Sequence, residues 1–412
     1  MKRHNRWIIT RKVFFFVLFV TVCTALSGQD AAKQATPPAR PVFRTPAAIR
    51  SAELLPDNRV IFRLYAPKAQ SVSVSGEWMA GWGASEKMER NDTGLYTYTA
   101  GPLKPELYAY SFTVDGVRMT DPNNVQVRRD GTRYESFFII PGTGSDLYIQ
   151  KDNVAHGTVT KIWYNSSVLE MQRRMYVYTP AGYENGRRRY PVLYLFHGAG
   201  GDEDAWTTMG RAAQILDNLI SEGKARPMIV VMTNGNAPQS CAQNDLPLAP
   251  VSGVEETASY FKYAGKFEEH LVKDVVPFIE MHYRTLTGMN NRAIAGLSMG
   301  GGQTLTIAGD NPGIFGYIGV FSMGITNYGP QTPDAEKHEQ ERGAKIEALK
   351  ASGYKLFWIA CGKDDFLYQS VVTLRNTLDI HNFKYTYRES TGGHTWANWR
   401  IYLSEFAPML FK

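Results

Sequence analysis

The stretch Ala293-Ile294-Ala295-Gly296-Leu297-Ser298-Met299-Gly300-Gly301-Gly302 reads as the end of a buried strand, a sharp turn and the start of a helix. The Gly-x-Ser-x-Gly spacing puts small residues two before and two after Ser298, where a strand turning abruptly into a helix leaves no room for a Cβ atom. Such a turn pushes the serine hydroxyl out of the backbone. It also aims the first helical N–H groups, beginning with Met299, at the space beside that hydroxyl, where a negative oxygen can be held. Arg292 to Ala295 supply the apolar strand, and Gln303 to Ala308 continue a helix that Asn311-Pro312 stops. A chance match of so short a motif would lack that context, so Ser298 is read as a nucleophile for acyl transfer.

Outward from this elbow, apolar strand candidates recur at Thr158 to Tyr164, Arg174 to Tyr178, Tyr190 to Phe196, Met228 to Met232, Arg292 to Ala295, Tyr317 to Phe321, Lys355 to Ala360 and Phe383 to Tyr387. The first two read as a hairpin. The others are short apolar runs of the kind buried on both faces, with helix candidates at Ala212 to Glu222, Lys266 to His282 and Val371 to His381 between them. The pattern predicts a mostly parallel eight-stranded sheet with helices on both faces. Its elbow follows the fifth strand, as in an α/β-hydrolase.

A serine hydroxyl needs a base to take its proton and a carboxylate to orient that base. In this fold both follow the serine in the chain, on loops after the last strands. After the eighth strand comes Thr391-Gly392-Gly393-His394-Thr395-Trp396, and His394 is the expected base. The other histidines fit worse: His270, His282 and His381 lie on helix candidates or their ends, His156 in a connection and His338 in a charged run. After the seventh strand, Gly362-Lys363-Asp364-Asp365 offers two adjacent carboxylates that spacing alone does not separate. After the third strand, Phe196-His197-Gly198-Ala199-Gly200-Gly201 has glycines that let backbone N–H groups approach a substrate oxygen, so the Ala199 amide is expected to face that of Met299. His197 ends a strand before a tight turn and is read as structural. The loop Thr233 to Ala264 is long enough to cover a substrate, and Trp206, Tyr260 and Trp396 are candidate walls for an acyl group, each competing with simple packing. Trp399, Tyr402, Leu403 and Phe406 have the spacing of a core-facing final helix. The glycine pattern matches neither a phosphate-binding loop nor a dinucleotide fingerprint, and no metal-ligand cluster stands out, so neither cofactor nor metal is expected.

The chain of 412 residues is 43% hydrophobic, enough for more than one domain. Lys2, Arg3, Arg6, Arg11 and Lys12 precede the apolar run Val13 to Val22, and Ala25, Ser27 and Gly28 follow, the pattern of a signal peptide over 1–28 and hence of a secreted or periplasmic protein. Nothing later is long and apolar enough to span a bilayer. Removing five positive charges from a net of +6 leaves about +1, which withdraws support for a nucleic-acid partner. Cys241 and Cys361 would then sit in an oxidising compartment where they could pair. Residues 29–46 read as a linker, 47–141 as an all-β sandwich of alternating strands, 142–157 as a second linker and 158–412 as the hydrolase domain.

In the sandwich, Phe62-Arg63-Leu64-Tyr65-Ala66-Pro67, Gly76-Glu77-Trp78, Tyr108-Ala109-Tyr110, Val114-Asp115-Gly116 and Asp121-Pro122 resemble the immunoglobulin-like N-terminal modules of glycogen-branching and debranching enzymes, carbohydrate-binding module family 48. Trp78 and Trp82 are placed to stack on a sugar or to fill the sandwich core, and the core reading is favoured. In the second domain, Leu195-Phe196-His197-Gly198, Gly296-Leu297-Ser298-Met299-Gly300-Gly301, Ile359-Ala360-Cys361-Gly362 and Gly392-Gly393-His394 resemble a feruloyl esterase of carbohydrate esterase family 1, within the esterase D group. The family acid lies three residues after the glycine of the Ala-Cys-Gly run, which implies Asp365. The resemblance implies release of ferulate or related hydroxycinnamates from arabinose on xylan, so that the partner is feruloylated plant cell-wall polysaccharide or oligosaccharide. Acetyl-xylan and enterobactin-type siderophore esters are the alternative substrates, and an inactive glycan-binding protein is the alternative of another class.

Overall fold

The computed structural model describes residues 49–81, 83–131, 133–238, 263–327 and 333–412. The expected signal peptide, the linker over 29–46, Trp82, Cys241 and Tyr260 lie outside those residues.

Strict alternation of apolar and polar residues makes two-faced strands, which must pair their apolar faces. The longer of the first ten strands do so, with short exposed strands beside them. The ten are β1 (Glu53–Leu54), β2 (Val60–Tyr65), β3 (Val72–Gly76), β4 (Glu86–Lys87), β5 (Glu89–Arg90), β6 (Leu95–Ala100), β7 (Leu107–Val114), β8 (Val117–Met119), β9 (Val127–Asp130) and β10 (Arg133–Ile139). One sheet runs β1-β2-β6-β5; the other runs β4-β3-β7-β10-β9, with β8 paired to β7. Val60, Phe62, Leu64, Val72, Val74, Tyr110 and Phe112 fill the space between them. Trp78 belongs to this core, with its indole stacked on Phe62 at 5.0 Å, as the packing reading expects. The β9–β10 hairpin, whose first strand carries adjacent charges, is not among the strands the sequence marks out.

The connection after β10 is packed. It holds a 3₁₀ turn at Ser145–Leu147 and the buried Tyr148, whose hydroxyl accepts a hydrogen bond from the Leu107 amide at 3.1 Å.

The second half contains β11 (Thr158–Ser166), β12 (Met171–Thr179), β13 (Val192–Phe196), β14 (Ile229–Thr233), β15 (Arg292–Leu297), β16 (Tyr317–Phe321), β17 (Leu356–Gly362) and β18 (Thr386–Ser390). They form one sheet in the order β11-β12-β14-β13-β15-β16-β17-β18, parallel from β14 onward. Every residue of β13, β14 and β16 is buried. Val192, Tyr194 and Phe196 join one hydrophobic core and Leu193 and Leu195 the other, so the sheet is covered on both faces. The covering helices include α1 (Ala205–Thr208), α2 (Ala212–Ser221), α3 (Lys266–His270), α4 (Val276–His282), α5 (Met299–Asp310), α6 (Ala335–Ala351), α7 (Tyr368–Ile380) and α8 (Trp396–Phe406). This is the α/β-hydrolase architecture, preceded by a β-sandwich.

Three elements differ from the expected ones. The helix expected over Lys266 to His282 is divided by a π turn at Leu271–Val275, just ahead of Pro277, whose missing N–H cannot complete an α-helical ladder. The last strand begins at Thr386 rather than Phe383, because Phe383 is drawn into the core and stacks on Tyr354 at 4.6 Å. Helix α6 escapes notice because it is charged nearly all round and buries Leu349 alone.

Candidate active site

Ser298 sits between β15 and α5 with φ 52° and ψ −122°, a backbone state L-residues rarely adopt, and its N–H bonds the Phe321 carbonyl at 2.9 Å. The flanking glycines are sterically required. A Cβ on Gly296 would stand 2.3 Å from the Gly300 carbonyl oxygen, and one on Gly300 would stand 2.5 Å from that of His197. The elbow therefore packs backbone against backbone, and Met299 is the first residue of α5, where helical N–H groups lack intrahelical partners.

His394 lies on the loop between β18 and α8, with Nδ1 3.0 Å from both carboxylate oxygens of Asp365, on the loop after β17. The Asp365 carboxylate is fully buried. Burial alone would raise its pKa, but hydrogen bonds from His394, from the Leu367 N–H at 2.8 Å and from Ser322 outweigh that and hold it below the usual carboxylate range. Asp364, its neighbour, is exposed and ties the same two loops together: its carboxylate accepts from the Gly392 N–H at 3.2 Å. Of the two carboxylates that spacing left open, Asp365 bonds the imidazole and Asp364 bonds the Gly392 amide.

Behind this pair stands a support that sequence reasoning missed. Ser322, directly after β16, accepts the Trp399 indole N–H at 3.0 Å and hydrogen-bonds Asp365. The Trp399 ring meets the His394 ring edge to face at 4.9 Å. Trp399 is thus both a core residue of α8, as its spacing predicts, and a packing partner of the imidazole.

Ser298, His394, Leu297, Gly198, Ala199, Trp396 and Trp399 line one cleft of about 760 Å³. Trp396 lines this cleft. Trp206 does not: it is buried behind Trp396, edge-on at 5.2 Å, and gives its indole N–H to the Phe196 carbonyl at 2.9 Å, which makes it a core residue. Tyr260 lies outside the described residues. His197 is fully buried beneath the Gly198–Gly201 turn, in keeping with a structural role.

The opposite wall of the cleft comes from the sandwich, through Glu77, Tyr108, Arg128 and Glu135. Successive residues of a strand face opposite ways. Arg128 turns to the cleft, where its Nη2 bonds Glu77 and Glu135, each at 2.8 Å. Arg129 turns to the hydrolase domain and pairs with Asp202, just past the Ala199 turn. Glu77 and Asp202, which these two adjacent arginines hold, lie far away in the chain, so no sequence signal marked the interface.

The Cys361 thiol is buried in β17, and burial first, then Asp365, pushes its pKa up to about 12. Among the described residues no cluster of three or more His, Cys, Asp or Glu is arranged to hold a metal, and no helix is long and apolar enough to cross a membrane.

Comparison with known proteins agrees with this fold. Residues 166–410 match the Esterase family, and residues 49–127 match Carbohydrate-binding module 48 (Isoamylase N-terminal domain). An endo-1,4-beta-xylanase/feruloyl esterase of Xylanibacter ruminicola is 34% identical over 71% of this chain, which spans only 40% of that relative's length. The structure of a CE1 ferulic acid esterase from Anaeromyces mucronatus in complex with ferulic acid is 27% identical, with a TM-score of 0.53 over 66% of this chain and 98% of that one. The enterobactin esterase of Shigella flexneri is 16% identical, with a TM-score of 0.58 over 84% of this chain and 92% of that one, a likeness of fold that extends across both domains. The chain belongs to the Esterase family of α/β-hydrolases and carries a carbohydrate-binding module 48 domain in front of its esterase domain.

Proposed function

We propose that this chain is a secreted serine esterase that releases ferulate or related hydroxycinnamates from arabinoxylan through an acyl-enzyme on Ser298. The observation that carries the reading is His394, held by both oxygens of Asp365 on the wall of the cleft where Ser298 stands on its elbow. In this mechanism Nδ1–H stays on the ring and donates to Asp365, so Nε2 is free to take the Ser298 proton as the hydroxyl attacks the ester carbonyl. Charge developing on the carbonyl oxygen is met by the Met299 and Ala199 amides. His394 returns the proton to the departing sugar oxygen, and water repeats the sequence on the acyl-enzyme.

The acyl group would lie along Trp396, and the sugar alcohol would leave toward Glu77 and Arg128 on the sandwich wall. Donors and acceptors facing each other there suit a hydroxyl-rich leaving group. The named relatives act on feruloyl esters and xylan, which supports the acyl and glycan classes proposed.

The second reading is a siderophore esterase, favoured by the likeness of fold to the enterobactin esterase across both domains. Turnover of methyl ferulate, methyl sinapate, p-nitrophenyl acetate, acetylated xylan and enterobactin, each with a Ser298→Ala control, separates the readings. The feruloyl esterase reading expects the highest kcat/KM on hydroxycinnamates. Preference for acetyl esters or enterobactin would replace the substrate, and xylan binding without turnover of any ester would replace the enzyme.

A further inference from the structure

His197 takes no part in the proton transfers above, yet both its ring nitrogens are committed. The Gly235 N–H, on the loop after β14, points at Nε2 at 2.8 Å, and Nδ1 lies 2.7 Å from the Gly198 carbonyl oxygen. A nitrogen that accepts an N–H carries no proton, so Nε2 is bare and the ring proton sits on Nδ1, donating to Gly198. The Asn234 side chain also hydrogen-bonds the ring. Burial is the main cause that pushes the imidazolium form down to about 4, which keeps the ring neutral.

The carbonyl it holds belongs to the peptide that joins Gly198 to Ala199. That peptide is trans, and in a trans amide the C=O and N–H point in opposite directions. With the Gly198 oxygen drawn inward by Nδ1–H, and by the Gly201 N–H at 3.2 Å, the Ala199 N–H must point outward, on the side where Ala199 lines the cleft. The peptide is also fixed beside the nucleophile: a Cβ on Gly198 would stand 3.2 Å from the Ser298 Cβ. On its far side, Gly235 is held by Gln303 of α5, whose Nε2 donates to the Gly235 carbonyl at 2.9 Å. One relay, Gln303 to Gly235 to His197 to Gly198, therefore links the helix that begins at Met299 to the peptide that ends at Ala199.

We propose that His197 is a positioning residue for the oxyanion site: as the neutral Nδ1–H tautomer it pins the Gly198 carbonyl inward and thereby aims the Ala199 N–H at the developing oxyanion. This rests on the reading of the Ala199 and Met299 amides as oxyanion donors. Hydrogen bonds in such a chain polarise one another, so the Gly235 amide also strengthens the donor at its other end.

Two measurements test it on the full-length protein. Nitrogen-15 NMR of the wild type, with His197 assigned through its own backbone, is expected to show Nδ1 protonated and Nε2 bare, unchanged as the pH is lowered from about 8 to about 5.5, since the ring charges only near 4. A ring protonated on Nε2, or titrating in that range, overturns the proposal, and this readout requires no variant to fold.

The second measurement compares His197→Ala with His197→Asn, whose amide N–H can still reach toward Gly198. Removing an oxyanion donor outright costs ~10²–10³ in kcat, so His197→Ala, which misaims one, is expected to lose about tenfold to a hundredfold in kcat with KM nearly unchanged. Phenylboronic acid, which forms a tetrahedral adduct on serine, should lose affinity by a similar factor, ferulate binding should not change, and His197→Asn should recover most of the loss. Unchanged kcat in His197→Ala, or equal losses in both variants with KM and ferulate binding impaired alike, contradicts it. Turnover by Ser298→Ala would instead overturn the site reading on which it rests, so the two failures are distinct.

Discussion

Arg129, on a strand of the sandwich, grips the carboxylate of Asp202 with both terminal nitrogens of its guanidinium, and Asp202 lies three residues beyond Ala199 in the esterase domain. Both side chains are nearly inaccessible to water. Gly131, two residues on, also touches the turn: a Cβ there would stand 2.1 Å from the Gly200 carbonyl oxygen. The sandwich is thus braced against the loop that carries Ala199.

Removing Arg129 leaves the buried Asp202 carboxylate without its cation, and removing Asp202 leaves the buried Arg129 to its longer ion pair with Asp204 at 3.5 Å. Arg129→Ala or Asp202→Ala is expected to destabilise the protein by about 3–5 kcal/mol, whereas replacing both with well-packed apolar residues of similar size should cost far less. Chemical denaturation of the two single variants and the Arg129→Met/Asp202→Leu double variant checks this. Additive losses would show that the two residues are not coupled.

Asp364 and Asp365 are adjacent in sequence and differ in surroundings. Asp365→Asn removes the charge that steadies the His394 imidazolium and is expected to lower kcat about 10⁴-fold on methyl ferulate. Asp364→Asn, which changes one exposed loop contact, should stay within a few-fold of wild type. Steady-state kinetics of both variants decides between them.

Ser322 joins Trp399 to Asp365. A hydrogen bond to a charged group is worth about 1.5–3 kcal/mol, so Ser322→Ala is expected to reduce kcat roughly tenfold to a hundredfold while KM holds. Losing that hydrogen bond should also raise the Asp365 pKa and make the carboxylate a more basic partner for His394, moving the acid limb of the pH–rate profile to higher pH. A variant with wild-type kcat and an unshifted profile would show that the hydrogen bond serves packing alone.

Two buried histidines set the acid stability. Burial pushes His197 and His270 down to about 4, below the 6.5 of an unburied ring. Between those values the unfolded chain binds protons that the folded protein does not, so the stability present above pH 6.5 is lost progressively as the pH falls toward 4. Asp274 contributes in a lower window. Although burial opposes it, hydrogen bonds from Ser167, His270 and Ser166 hold Asp274 at about 2, so its share disappears only as the pH falls from about 4 toward that value. The expected result is a melting temperature that declines from pH 6.5 downward, with proton uptake on unfolding across that range. A flat melting temperature from pH 6.5 to pH 4.5 would contradict it.

Much of the site was legible because its chemistry constrains backbone as well as side chains. The elbow at Ser298 needs Gly296 and Gly300 for want of space, and the Ala199 turn needs Gly198 for the same reason; glycine patterns carry such demands into sequence. His394 was legible from its place after the last strand. Asp365 was separable from Asp364 only by family likeness, because burial and not spacing distinguishes them. Ser322 and the inward face of the β9–β10 hairpin were not legible. Their roles arise from contacts between residues far apart in the chain, 77 apart for Ser322 and Trp399 and 73 apart for Arg129 and Asp202. Trp206 and Trp396 carry the same side chain near the same cleft, and only the packing of one behind the other tells core from wall.

The central claim is that Ser298 accepts the acyl group, and trapping that intermediate tests it most directly. Rapid mixing of the wild-type protein with p-nitrophenyl ferulate, followed by acid quench and intact mass measurement, should show one added feruloyl group, mapped by proteolysis to the peptide containing Ser298. Ser298→Ala, folded as judged by its melting temperature, should show neither adduct nor turnover, a loss of roughly 10⁴-fold or more. A feruloyl group mapped to any other residue, or Ser298→Ala turning over at the wild-type rate, would contradict the account.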